Sequence, residues 1–277
     1  MITLNNGLKV PKLGLGTFKI TDEKEAYETV KYALEVGYRH IDTAQIYNNE
    51  HMIGKAIKDS NVKREDIFIT TKYWGFHDEI EMEEKFYESL EKLKTNYVDL
   101  YLIHWPNHNK AVNAKVWSFL EKLYKEKKAL AIGVSNFQEH HLESLLKTAK
   151  IIPMVNQVEL HPGLTQMPLN TYLKSKNIQI ESYGPLMRGR IFETPFKEKL
   201  EEIANKHNAT IAQIVIAWGL NRNILMIPKS VTKERIKENF EARNIKLTEA
   251  EILEINALNR GSRVYTDPDN APWAYWC

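Results

Sequence analysis

The chain has 277 residues, 43% of them hydrophobic, with 38 Lys and Arg against 36 Asp and Glu for a formal charge of +2. That balance fits a soluble globular protein with a sizeable core and excludes a disordered or collagen-like chain. Basic and acidic residues are interleaved, as in EEKFYESLEKLKT, so no concentrated basic face speaks for nucleic acid.

The first elements read as a β-hairpin, Ile2-Thr3-Leu4 and Leu8-Lys9-Val10, with Asn6-Gly7 suited to a tight turn and Pro11 closing it. Short apolar runs then alternate with longer amphipathic segments, the pattern of successive βα units feeding a parallel sheet. The predicted strands are Leu13 to Phe18, Tyr38 to Thr43, Ile67 to Lys72, Val98 to His104, Ala129 to Val134, Met154 to Glu159, Ile178 to Tyr183 and Ile224 to Ile227. The first helix is expected over Asp22 to Val36, capped by Thr21 and ended by Gly37, with Tyr27, Val30, Ala33 and Leu34 on one face.

Eight such units with no low-complexity linker favour one α/β domain, a closed (β/α)8 TIM barrel spanning 1–277, over a doubly wound open sheet. The N-terminal hairpin, an extra helix over Thr248 to Asn259 and a C-terminal loop from Arg260 to Cys277 are additions to it. Cys277 is the only cysteine, which precludes an intrachain disulfide and fits a cytoplasmic setting. No apolar run nears the roughly 18 residues of a membrane span, and the N-terminal segment does not read as a secretion signal. The Asn208-Ala209-Thr210 triplet is taken as a chance glycosylation match.

Functional groups of such a barrel collect where strands end. Asp42, Tyr47, Lys72 and His104 all fall at that rim, and Lys72 and His104 close the apolar runs FITTK and VDLYLIH, where a polar side chain must face something. A cation at Lys72 would favour the phenolate of Tyr47 and make it a better acid, Asp42 would hold that cation, and His104 would orient a substrate oxygen. This chemistry suits carbonyl reduction, with the hydride coming from a bound cofactor. Gly14-Leu15-Gly16 lacks the third glycine and following helix of a dinucleotide fingerprint. The loop Pro228 to Arg235, which opens a helix carrying Glu238 and Asn239, is the better phosphate site. Among the histidine pairs, Pro106 breaks any helix from His104 to His108, and the adjacent His140 and His141 are expected to diverge, so no metal is expected.

The blocks GLGTF, YRHIDTAQIYNNE, TTKYW, DLYLIHWP, GVSNF, NQVELHP and IPKSVTKERIKENF, in this order, make the chain resemble the aldo-keto reductases over nearly its whole length. The resemblance implies NADPH-dependent reduction of a small-molecule carbonyl substrate by a monomer, with Tyr47 as general acid in a tetrad with Asp42, Lys72 and His104. It assigns Ser135, Asn136 and Gln157 to the nicotinamide carboxamide and Tyr183 to ring stacking. Gly16, Thr17, Asp42 and Leu186 approach the cofactor, while Lys229, Ser230, Val231, Thr232, Arg235, Glu238 and Asn239 cradle its adenosine and 2′-phosphate. Two departures stand out: Gly184 where relatives commonly carry Ser, and Asn48 where Gly is frequent.

Phe18, Trp74 and Trp105 are the expected substrate walls, joined by Trp273, Tyr275 or Trp276 of the tail. A non-catalytic NADPH-binding barrel and a barrel hydrolase using the last phosphate loop are the rival readings; the complete tetrad argues against the first, and no nucleophile can be placed for the second.

Overall fold

The computed structural model describes residues 1–75 and 78–275. The hairpin pairs β1 (Ile2–Thr3) antiparallel to β2 (Lys9–Val10), with Ile2 opposite Val10. Its turn side chains reach across the molecule: Asn5 Nδ2 donates to the carbonyls of Pro153 and Asn177, and Asn6 Nδ2 to that of Leu130. Those carbonyls lie just before strands begin, so the hairpin covers the bottom of the sheet, opposite the strand ends that carry the polar residues.

Eight parallel strands follow in sequence order as spatial neighbours. They are β3 (Leu15–Gly16), β4 (His40–Asp42), β5 (Phe68–Tyr73), β6 (Leu100–Ile103), β7 (Ile132–Ser135), β8 (Val155–Glu159), β9 (Gln179–Tyr183) and β10 (Leu225–Met226). The sheet closes on itself. Met226 N donates to the Lys12 carbonyl, Gly14 N to that of Met226 and Gly16 N to that of Pro228, in a parallel bridge between Leu13 and Met226. The result is the (β/α)8 barrel. Two glycines serve this seam: a Cβ on Gly16 would stand 2.8 Å from the Ile227 carbonyl oxygen, and one on Gly14 2.8 Å from the His40 ring. Barrel closure thus accounts for Gly16 and the close approach of the His40 ring for Gly14.

Around the barrel run α1 (Glu23–Val36), α2 (Glu50–Lys58), α3 (Glu79–Leu93), α4 (Lys110–Lys125), α5 (Glu139–Leu146), α6 (Met167–Ser175), α7 (Lys197–Lys206), α8 (Ile211–Asn221), α9 (Lys233–Glu241) and α10 (Glu249–Asn256). The cap of α1 is Asp22, not Thr21: its carboxylate accepts from Glu25 N at 2.7 Å, a bond available from a residue one position nearer the helix. Gly37 ends that helix at φ 117°, as expected. Most strands are one to four residues shorter than their apolar runs, because side chains beyond the paired backbone still pack against the helices. The extra helix, α10, occupies the predicted segment, with Thr248 and Glu251 forming a reciprocal cap. Thr210, the end of the apparent glycosylation triplet, caps α8 and donates its hydroxyl to Glu238.

Candidate active site

Asp42 ends β4, Tyr47 ends the 3₁₀ turn Gln45–Tyr47 that follows it, Lys72 lies near the end of β5, and His104 follows β6. The fold brings these four together. The fully buried Lys72 Nζ donates to Asp42 Oδ1 at 2.7 Å and to the Thr43 carbonyl at 2.7 Å, and lies 3.4 Å from the Tyr47 hydroxyl. The Tyr47 and His104 rings meet edge-on, 5.5 Å between centroids. Asn48, one of the two departures, takes a left-handed φ of 55° as its N–H closes the turn onto Gln45, a conformation that asparagine adopts more readily than most residues.

Burial, the nearby Asp42 carboxylate and Tyr265 push the Tyr47 hydroxyl above the usual tyrosine range. The lowering expected from Lys72 does not prevail over these causes, and the Lys72 Nζ is itself engaged by Asp42 and the Thr43 carbonyl. Burial, seconded by the Lys72 charge, holds His104 well below the ordinary histidine value, so its ring is neutral. Burial also raises the Asp42 carboxyl, against the pull of Lys72.

Beside this cluster lies a hydrogen-bonded row. Asn136, at a left-handed φ of 66°, donates from Nδ2 to the His104 carbonyl and to Ser135 Oγ, and its Oδ1 accepts from Tyr183 Oη at 2.7 Å. Ser135 Oγ donates to the Gln157 carbonyl. Gln157 Nε2 spends both N–H groups on carboxyls, Asp42 Oδ2 at 2.7 Å and Glu181 Oε2 at 2.8 Å. Its Oε1 accepts nothing from the described residues, so what Gln157 offers a ligand is an acceptor. Thr17 is fully buried and its hydroxyl donates to the Asp42 carbonyl, making it a brace for β4.

Across β10, Lys229 and Arg235 are exposed and make no ion pair among the described residues. Thr232 sits at the N-cap of α9 without a side-chain cap bond, which leaves first-turn amides open. Ser230 and Asn239 are buried and Val231 is half-buried beside them. Glu238 is committed to the Thr210 hydroxyl. Leu186 precedes the irregular turn Met187–Phe192.

The Phe18 ring lies 5.0 Å from that of Tyr47, tilted by 50°, and Trp74 lies edge-on to His104 at 5.3 Å. Trp273 of the C-terminal segment reaches Trp105 at 5.1 Å and Trp74 at 6.2 Å, which places it beside these two rings. The Tyr275 side chain and Trp276 lie outside the described residues.

The same segment is fastened in two places that the sequence did not announce. Buried Glu159 Oε1 accepts from Val264 N at 2.6 Å and from His161, while Tyr265 packs on Tyr183 and under the Arg188 guanidinium. A Cβ on Gly184, at φ 62°, would fall 2.4 Å from the Tyr265 ring, which accounts for the glycine there. Further on, Asp269 Oδ1 lies 3.0 Å from His140 Nε2 and 3.4 Å from His141 Nε2. The expectation that these two histidines diverge is thus wrong: in the first turn of α5 their rings stand 4.0 Å apart and converge on one carboxylate. No helix spans His104 to His108, since α4 begins at Lys110.

Residues 12–260 match the aldo/keto reductase family. The chain is 48% identical to the glyoxal reductase of Bacillus subtilis (strain 168) over 272 residues, 97% of this chain and 96% of that protein. Among solved structures, an aldo-keto reductase from a Medee basin deep-sea metagenome library superposes with a TM-score of 0.94 at 47% identity, covering 98% of this chain and 99% of that one. A mutant of Gox0644 in complex with NADPH gives 0.89 at 36% identity, over 98% and 97% of the two chains. With this barrel, this cluster and these matches along nearly its full length, the chain belongs to the aldo/keto reductase family.

Proposed function

We propose that the chain is a metal-free, NADPH-dependent reductase of aldehydes, ketones and dicarbonyls, acting as a single-domain cytoplasmic monomer. The observation that carries this reading is the contact set of Lys72 with Asp42 and Tyr47 beside a neutral His104, at the mouth where the strands end. Bound NADPH would supply the hydride. Tyr47, whose proton is firmly held, delivers it to the oxygen only as negative charge develops there, and Lys72 is close enough to stabilise the charge left on the phenol. His104 donates one N–H to the carbonyl oxygen. Phe18, Trp74 and Trp105 form the apolar wall, and the likeness to a glyoxal reductase favours small 1,2-dicarbonyls.

The cofactor fits the free groups. Gln157 presents only an acceptor, matching the N–H₂ of a carboxamide, with Ser135 and Asn136 beside it and Tyr183 available for stacking. Leu186 stands at the approach with the buried Gly16 and Thr17 behind it, Thr17 bracing Asp42; Lys229, Ser230, Val231, Thr232 and Arg235 with Asn239 and the open first turn of α9 suit a phosphate-bearing adenosine. Glu238 enters this reading only through the adenosine, since its carboxylate is held by Thr210. The metal-free reading is supported at His140, His141 and Asp269, whose ligand atoms converge, by a tautomer: Gln138 N donates to His141 Nδ1, so the neutral ring carries its proton on Nε2, facing Asp269.

The test follows NADPH absorbance with glyoxal, methylglyoxal and aromatic aldehydes, with NADH in parallel. Saturable NADPH oxidation is expected, and Tyr47→Phe should lower kcat by about 10²–10⁴ with NADPH still quenching tryptophan fluorescence. Undiminished turnover in that variant would remove Tyr47 as the acid, and absence of quenching in the parent would remove the cofactor.

A further inference from the structure

Glu181 lies in the middle of β9, fully buried, with its side chain in the barrel interior beneath the reactive cluster. Its Oε2 accepts one N–H of Gln157, whose other N–H goes to Asp42, so a single amide separates two buried carboxyl groups. The charged and titratable groups facing it are Asp42 and His40 from β4 and Lys72 from β5. Lys72 is already bonded to Asp42, and His40 Nε2, at 3.7 Å from Glu181 Oε1, is within bonding distance of Thr70 Oγ1. Oε1 receives no hydrogen bond from the described residues. Two carboxyl groups bridged by one amide and sharing one cation in a fully buried interior are not both ionised.

We propose that Glu181 is a positioning residue for the reduction: as a neutral acid it fixes the Gln157 amide with its oxygen toward the ligand and leaves Asp42 as the sole anion on Lys72, and its ionisation turns the reaction down. This rests on the reductase reading above. Ionised Glu181 would place a second anion near Lys72, cancelling the cation that faces the developing alkoxide and holding the Tyr47 proton more tightly. Burial and the Asp42 charge push the Glu181 carboxyl up to about 8, so the decline falls on the alkaline side of neutrality. His40, pushed down to about 3 by burial, stays neutral throughout and supplies no compensating charge.

The experiment compares the pH profile of kcat/KM for NADPH-dependent glyoxal reduction in the parent and in Glu181→Gln. The parent is expected to lose about tenfold per pH unit above its limb, and the variant to hold its plateau at least one unit further; a limb at the same pH in both overturns the proposal. Infrared difference spectra, pH 6 minus pH 10, of the cofactor-free parent and of Glu181→Gln provide a second readout that needs no turnover. A protonated-carboxyl band present in the parent at pH 6, lost at alkaline pH and missing from the variant is expected. Its absence at pH 6 overturns the proposal even if the enzyme reduces glyoxal, and its presence without any turnover faults the reductase reading instead.

Discussion

Glu181→Gln also makes a stability prediction whose size follows from the surroundings of that side chain. Gln keeps an oxygen for the Gln157 amide and puts an N–H where the acid has its O–H, so shape and bonding are nearly conserved. The acid, however, loses its proton near 4.5 in the unfolded chain and near 8 in the folded one. A carboxyl raised by folding gives its full stabilisation below the unfolded value and loses it as pH rises toward the folded value, at about 1.4 kcal/mol per unit. Between pH 5 and 7.5 the parent should therefore lose about 3 kcal/mol relative to the variant. Above about pH 8 the difference should level off. Urea unfolding of both chains at half-unit steps from pH 5 to 9 measures this directly. A difference that stays constant across the range, whatever its value, would mean that the folded chain carries Glu181 ionised, and the charge argument for the barrel interior would fall with it.

Other expectations concern the rim. Arg235→Ala should weaken NADPH binding by about 10–100-fold, the loss of one charge-assisted bond of about 1.5–3 kcal/mol, while NADH binding changes little; equal losses for both cofactors by fluorescence titration would place the guanidinium elsewhere. Gly184→Ser should destabilise by about 2–4 kcal/mol, combining left-handed strain with overpacking against Tyr265, and Tyr265→Ala should relieve part of it in a double-mutant cycle by urea unfolding; strict additivity would refute the contact. Asp269→Ala should raise KM for glyoxal several-fold while the NADPH dissociation constant is retained, because it releases the segment that carries Trp273; an unchanged KM would show that Trp273 is seated without this clasp.

The barrel and the four clustered residues were legible because each signal was local. Eight apolar runs at regular spacing predict eight strands, and a lysine or histidine closing such a run must point at something polar. By the same sign Glu181 inside IESY and Glu159 closing MVNQVE must face something polar, but a carboxylate in an apolar run does not say whether its partner is a ligand, another strand or, as for Glu159, the C-terminal segment. The direction of the Tyr47 shift was not legible, since it depends on how Lys72 divides its three donors among Asp42, Thr43 and the phenol. Nor was the convergence of His140 and His141, which needs an acceptor 128 residues further along the chain at Asp269. Gly184 looked like a lost hydroxyl in the sequence, whereas in three dimensions it is the space occupied by Tyr265.

The two fastenings of the C-terminal segment separate two problems that an enzyme usually has to solve with the same residues. Asp42, Tyr47, Lys72 and His104 come from the first half of the barrel, each set by strand register. On the reading proposed above, part of the substrate's wall comes from Trp273, on a stretch held by loop contacts, backbone bonds of Arg260 and Ser262 to the Gly163 carbonyl among them, rather than by strand pairing. Sequence change in that stretch can alter the shape of the mouth without disturbing any strand that carries the reactive groups. For protein engineering, that reading makes the described part of this stretch, up to Trp273, a replaceable cassette: new substrate ranges would be sought there first, with Glu159 and the His140–His141 pair retained as its sockets.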